Sequence, residues 1–64
     1  MENYSKICKL YEDGYKCIKY DDEKDGPMNI YLKNFEIEKS DTIKVTDFQE
    51  KMRIKNYINQ NTLN

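Results

Sequence analysis

The chain has no histidine, tryptophan or alanine, and it contains two glycines, one proline and a single arginine, Arg53. Without histidine it lacks the side chain that most often acts as a general base near neutral pH. Two isolated glycines cannot build a glycine-rich phosphate-binding loop. Its two serines, Ser5 and Ser40, lie near the N-terminus and in a polar turn. The sequence therefore predicts a protein that is not an enzyme.

The two cysteines, Cys8 and Cys17, are too few for a zinc site, which needs about four ligands. On two strands joined by a three-residue turn, their side chains would point to opposite faces, and no disulfide could form. The acidic run from Asp21 matches the first positions of an EF-hand loop, but Leu32 stands where that loop needs glutamate. We therefore expect two reduced thiols, no metal and no cofactor.

No apolar stretch approaches the roughly 20 residues needed to span a bilayer, and residues 1–14 contain no signal-peptide core. We expect a cytoplasmic protein with no membrane partner. Lysine, asparagine, isoleucine and tyrosine are abundant, a bias typical of AT-rich coding DNA such as that of a low-GC bacterium, its phages or its plasmids.

The chain is long enough for a single small domain over residues 1–64, with 38% hydrophobic and 36% charged residues. A domain of this size buries only roughly 60% of the surface that its unfolded chain exposes, so we expect marginal stability. The predicted core consists of Ile7, Leu10, Ile18, Ile30, Leu32, Phe35, Ile37, Ile43, Val45, Phe48, Met52, Ile54 and Ile58.

Residues 46–60 form the longest periodic segment and predict an amphipathic C-terminal helix. Thr46 and Gln49 have the spacing of a capping box at its start. The apolar positions form a wide stripe, with Phe48 and Met52 on one side and Ile54, Ile58 and Tyr57 on another. With Phe48 and Met52 in the core, Tyr57 would point outward.

The first twenty residues admit two interpretations. A hairpin would pair residues 7–11 with residues 15–20 around a turn at Gly14. Alternatively, residues 3–12 form a helix that Gly14 ends. We favour the hairpin, because residues 15–20 are typical of a strand and a strand needs a neighbour.

Residues 28–39 predict a strand whose alternation changes phase, which indicates a bulge or tight turn at Lys33 and Asn34. A helix starting at Pro27 is the competing interpretation. A short strand over residues 42–45 precedes the C-terminal helix, and residues 61–64 should fray. The predicted fold is α+β: a small antiparallel sheet, made of the N-terminal hairpin and one or two further strands, with the C-terminal helix packed on one face.

Binding to nucleic acid through the C-terminal helix is the alternative function, because cationic residues and a tyrosine share this region: Lys44, Lys51, Arg53, Lys55 and Tyr57. Phosphate binders normally carry a clear positive excess. The net charge here is −1, and no segment of the chain is positive by more than one unit.

The favoured function is non-catalytic binding of another protein or of a second copy, as an inhibitor or regulator encoded by a phage or other mobile element. Six tyrosines exceed what so small a core can bury, and tyrosine is enriched at binding hot spots. The predicted partner-binding residues are two on the helix and four in the acidic loop: Arg53, Tyr57, Asp21, Asp22, Glu23 and Asp25.

Overall fold

The computed structural model of the chain describes residues 1–61. The elements in chain order are α1 (Glu2–Glu12), β1 (Lys16–Asp22), β2 (Met28–Asn34), β3 (Lys39–Val45) and α2 (Phe48–Asn61). The strands form one antiparallel sheet in the order β1-β2-β3. This confirms the predicted α+β class. Asn61 is the last residue of α2, and the rest of the predicted frayed tail, residues 62–64, lies outside the described residues.

The predicted N-terminal hairpin is wrong, because its first half is helix α1. Ile7 is completely buried on the inner face of this helix. The helix ends at Glu12, and Gly14 two residues later has a φ of 100°, which suits glycine alone among common residues. The amide of Tyr15 donates to the Leu10 carbonyl at 2.9 Å, which closes a Schellman motif. The strand that follows pairs with β2 instead.

A bulge in β1 explains why Ile18 is not in the core. The register shifts between Cys17 and Lys19, so Cys17 lies opposite Leu32 on the inner face and Ile18 is the extra residue. The Cys17 thiol donates to the Lys19 carbonyl at 3.3 Å across this bulge. Ile18 is consequently 55% exposed.

The turn after β2 lies later than predicted, at residues 35–38, and it leaves Phe35 and Ile37 outside the core. Asn34 organises this turn. Its side-chain oxygen accepts from the amides of Glu36 and Ile37 at 3.0 and 3.3 Å. Its side-chain nitrogen donates to the carbonyl of Asp13 at 3.1 Å, which joins the turn to the end of α1.

Helix α2 faces the sheet with its Ile54 and Ile58 side, so the predicted burial of Phe48 and Met52 is wrong. Phe48 is 71% exposed and Met52 is 47% exposed. The capping residue of α2 is Asp47, one residue after the predicted Thr46, because the Asp47 side chain accepts from the Glu50 amide at 2.8 Å.

Both helices pack on the same face of the sheet and enclose the core with β2 at its centre. The buried apolar residues are Ile7, Met28, Ile30, Leu32, Ile43, Val45, Ile54 and Ile58. Met28 was not in the predicted core. The opposite face of the sheet carries no helix among residues 1–61. Neither described helix has the length and apolar character that crossing a membrane requires.

Candidate functional site

Helix α2 carries a buried carboxylate, Glu50, that caps the other helix. The N-cap residue of α1, Met1, makes no side-chain capping hydrogen bond. One Glu50 oxygen accepts from the backbone amides of Asn3 and Tyr4 at 2.8 and 3.0 Å, and the other accepts from the Asn3 side chain at 3.2 Å. A negative charge at this position also complements the dipole of α1. Glu50 therefore has a structural role.

The neighbouring Lys51 is also buried and holds the loop between β1 and β2. Its ammonium group donates to the carbonyls of Glu23, at 3.2 Å, and Gly26. It also forms an ion pair of 3.1 Å with Asp22, whose other oxygen pairs with Lys55. Two of the four cations named for nucleic-acid binding through the helix are therefore already paired within the protein.

These two lysines make Asp22 sensitive to acid. The ammonium groups of Lys55 and Lys51 hold the pKa of the Asp22 carboxyl below its ordinary value of about 3.9. A carboxyl with a lowered folded-state pKa stabilises the protein above its unfolded pKa and loses this contribution as pH falls through the folded value. We therefore expect the Asp22→Asn variant to melt below the wild type at pH 7, and the gap to close below about pH 4.

Thermal melts of both proteins between pH 7 and pH 2 measure this effect. Asp25→Asn is the control, because Asp25 is an exposed carboxylate in the loop that follows Asp22. The melting temperature of Asp25→Asn should stay close to that of the wild type at every pH. A gap for Asp22→Asn that is as wide at pH 2 as at pH 7 would contradict the prediction.

The structure brings Arg53 and Tyr57 together, but it does not place Tyr57 on the outer side of α2. The Tyr57 ring packs edge-on against Tyr4 and Tyr11 of α1, with centroid distances of 5.9 and 5.2 Å. Burial, with Cys8 nearby, raises the pKa of the Tyr57 hydroxyl. The Arg53 guanidinium lies 5.8 Å from the Tyr4 ring centre and is exposed. Tyr57 therefore contributes mainly to the packing of the two helices.

The cysteines are separate and free, with Cys8 on α1 and Cys17 on β1. The Tyr11 hydroxyl accepts from the Cys17 amide at 3.1 Å. Burial raises the pKa of the Cys17 thiol, which keeps the thiol protonated and makes it a poor nucleophile. Within residues 1–61 no three cysteine or carboxylate side chains are grouped so that they could hold a metal ion.

An exposed apolar surface begins at Phe48 and Met52, which lie one helical turn apart on α2. Phe48 also borders a groove of about 350 Å³ together with Pro27 and Thr46. Two acidic residues of the loop between β1 and β2, Glu23 and Asp25, are exposed, and Asp25 also lines the groove. We call this region, centred on Phe48 and Met52, the α2 patch. The sequence already showed a wide apolar stripe on this helix, but it did not show which side of the stripe would be exposed.

The open face of the sheet is a second candidate, which was not predicted from the sequence. Because Met28, Ile30, Leu32 and Asn34 of β2 are buried beneath the helices, the alternate residues of β2 belong to the opposite face. Strand pairing then places three residues side by side in each of three rows: Lys16, Lys33 and Ser40; Lys19, Tyr31 and Thr42; and Asp21, Asn29 and Lys44. Four lysines therefore share one surface with a single aspartate.

Together, α1, the three-stranded antiparallel sheet and α2 define a small two-layer α+β protein with two candidate binding surfaces. No protein-family model, curated protein or solved structure matches the chain.

Proposed function

We propose that the protein is a non-catalytic protein-binding module, a small inhibitor or regulator encoded by a phage or other mobile element, and that the α2 patch binds its partner. The exposure of Phe48 carries this proposal, because 71% of this large aromatic residue is accessible to solvent. Aromatic side chains and methionine are enriched at the centres of protein interfaces. Met52, on the same side of the helix, extends the apolar surface.

The residues around the patch indicate the chemistry of the partner. Glu23, Asp25 and Asp47 are exposed acidic residues near its rim, with Lys24 as the opposing charge in the loop. Asp22, the last residue of β1, is neutralised by its two lysines. An apolar centre with an acidic rim complements an apolar protein surface surrounded by basic residues. The proposed interface therefore includes the exposed acidic residues of this loop, and Arg53, which is also exposed, follows Met52 in α2.

The double variant Phe48→Ala, Met52→Ala is expected to lose the partner and keep the fold. Substitutions of exposed residues usually change the free energy of unfolding by less than about 0.5 kcal/mol. The melting temperature should therefore stay within a few degrees of the wild type. Affinity capture from a lysate of the source organism after nuclease treatment identifies partners, and titration of the purified partner against both proteins measures the loss.

Ile37→Ala is the matched control, since Ile37 is 56% exposed but lies in the turn between β2 and β3. It should bind like the wild type. Retention of the partner by the double variant would overturn the proposal. Light scattering of the wild type tests self-association, and a dimer that the double variant converts to monomer would identify a second copy as the partner.

A further inference from the structure

We propose that the open face of the sheet is a binding site for single-stranded nucleic acid, with its lysines contacting phosphates and Tyr31 and Phe35 stacking on bases. This face lies on the opposite side of the sheet from the helices, so the inference is independent of the α2 patch. It rests on strand pairing, which brings together residues that are far apart in the sequence.

Charge is the first observation. Among the paired strand residues of this face, Lys16, Lys19, Lys33 and Lys44 accompany one acidic residue, Asp21. Within residues 1–61, three of these lysines form no ion pair, and Lys19 forms only a long one of 3.9 Å with exposed Asp21. The face is therefore free to attract an anion, although the whole chain has a net charge of −1.

The pairing of Lys16 with Lys33 is the second observation. They lie directly opposite each other on adjacent strands, where like charges are destabilising. Folding alone would favour an oppositely charged pair at this position. A bound phosphate between the two ammonium groups would convert this repulsion into a favourable contact.

Aromatic rings give the third observation. Tyr31 is in the middle row, and the ammonium of Lys19 lies 5.1 Å from the centre of its ring. Phe35 follows the end of β2, is 65% exposed, and has the ammonium of Lys33 5.1 Å from its ring centre. Each ring therefore has an ammonium group over it, and single-strand binding proteins combine such rings and cations to stack bases and to contact phosphates.

The shape of the face favours single strands over duplex DNA. Within residues 1–61, the open face of the sheet carries no helix that could enter a major groove. Stacking on a side chain also requires bases that are not already paired and stacked within a helix. Glu36 and Glu38 in one turn, and the acidic loop at the other end of the strands, border the lysines. A bound strand should therefore cross β1, β2 and β3 rather than run along them.

Fluorescence anisotropy with labelled oligothymidylate and oligoadenylate, over a series of salt concentrations, tests the inference. The Lys16→Gln, Lys33→Gln and Lys44→Gln variants should each reduce the slope of log affinity against log salt by about 0.7. The matched controls are Lys6→Gln and Lys9→Gln, exposed positions on α1, which should leave the slope unchanged.

Stacking is tested separately at Tyr31. Tyr31→Leu should weaken binding by roughly five- to 150-fold, and Tyr31→Phe should retain most of the affinity. Circular dichroism melts establish that each variant is folded. Absence of binding by the wild type, or equal effects of sheet and helix lysines, would overturn the proposal. Equally tight binding of duplex DNA would overturn the stacking role, and equally tight binding of polyglutamate would identify an acidic protein as the ligand instead.

Discussion

Replacing Lys51 with alanine is expected to lower the free energy of unfolding by about 1–3 kcal/mol, the range for leaving hydrogen-bond partners unsatisfied. The Lys51 side chain is 7% exposed, and its loss leaves the carbonyls of Glu23 and Gly26 without their shared donor, while Asp22 keeps Lys55. A core this small rarely supplies more than about 3–5 kcal/mol of stability. Circular dichroism should therefore show a clearly lower melting temperature.

Two further variants separate the charge of Lys51 from its packing. Lys51→Met keeps an unbranched apolar chain but cannot donate, so it should remain clearly less stable than the wild type. Lys24→Ala, an exposed lysine in the loop that Lys51 holds, should change stability little. A Lys51→Ala protein that melts like the Lys24→Ala control would show that the buried contacts do not stabilise the fold.

Replacing Glu50 with alanine has the second large expected effect, a loss of about 1–3 kcal/mol. This is the cost of leaving backbone donors without an acceptor, and the cost of losing a helix cap, about 0.5–2 kcal/mol, describes the same amides. Glu50 is 6% exposed and accepts from the amides of Asn3 and Tyr4. Urea denaturation followed by circular dichroism measures the change.

Graded variants identify the cause of this loss. Glu50→Gln keeps one acceptor oxygen without the charge and should lie between the wild type and Glu50→Ala. Amide hydrogen exchange in Glu50→Ala should increase most over the first turn of α1, where the cap is lost. Gln49→Ala is the control on α2, because Gln49 is exposed. Equal protection of α1 in the wild type and Glu50→Ala would contradict the capping role.

The N-terminal segment shows why local patterns predicted only part of the fold. Tyr4, Ile7 and Tyr11 suit one face of a helix, yet the same region also contains residues typical of strands. Helix α1 forms because Ile7 enters the core and a carboxylate 47 residues from Asn3 caps its first turn. No local pattern contains that distant contact. Both interpretations predicted that the first element would end near Gly14, and α1 ends just before it.

The orientation of α2 was undecided for the same reason. By hydrophobicity alone, Phe48 and Met52 are as suitable for the core as Ile54 and Ile58. Charged residues are not expected to be buried on that basis. The side with Ile54 packs inward because Glu50 and Lys51, on that side, find partners in α1 and in the loop after β1. The predicted site at Tyr57 followed from the opposite choice, so its exposed position was wrong, whereas the proposed role of the acidic loop remains to be tested.

By itself, the sequence determined the α+β class, the strands over the middle of the chain and the C-terminal helix, because regular alternation, helical spacing and turn residues act over a few neighbouring positions. It also indicated most of the core, although Met28 was missed. Only the tertiary structure decided that Phe48 faces solvent and that Lys16, Lys33 and Lys44 share one surface. Summing the charge over consecutive segments did not reveal that surface, because strand pairing brings together lysines that are far apart in the sequence.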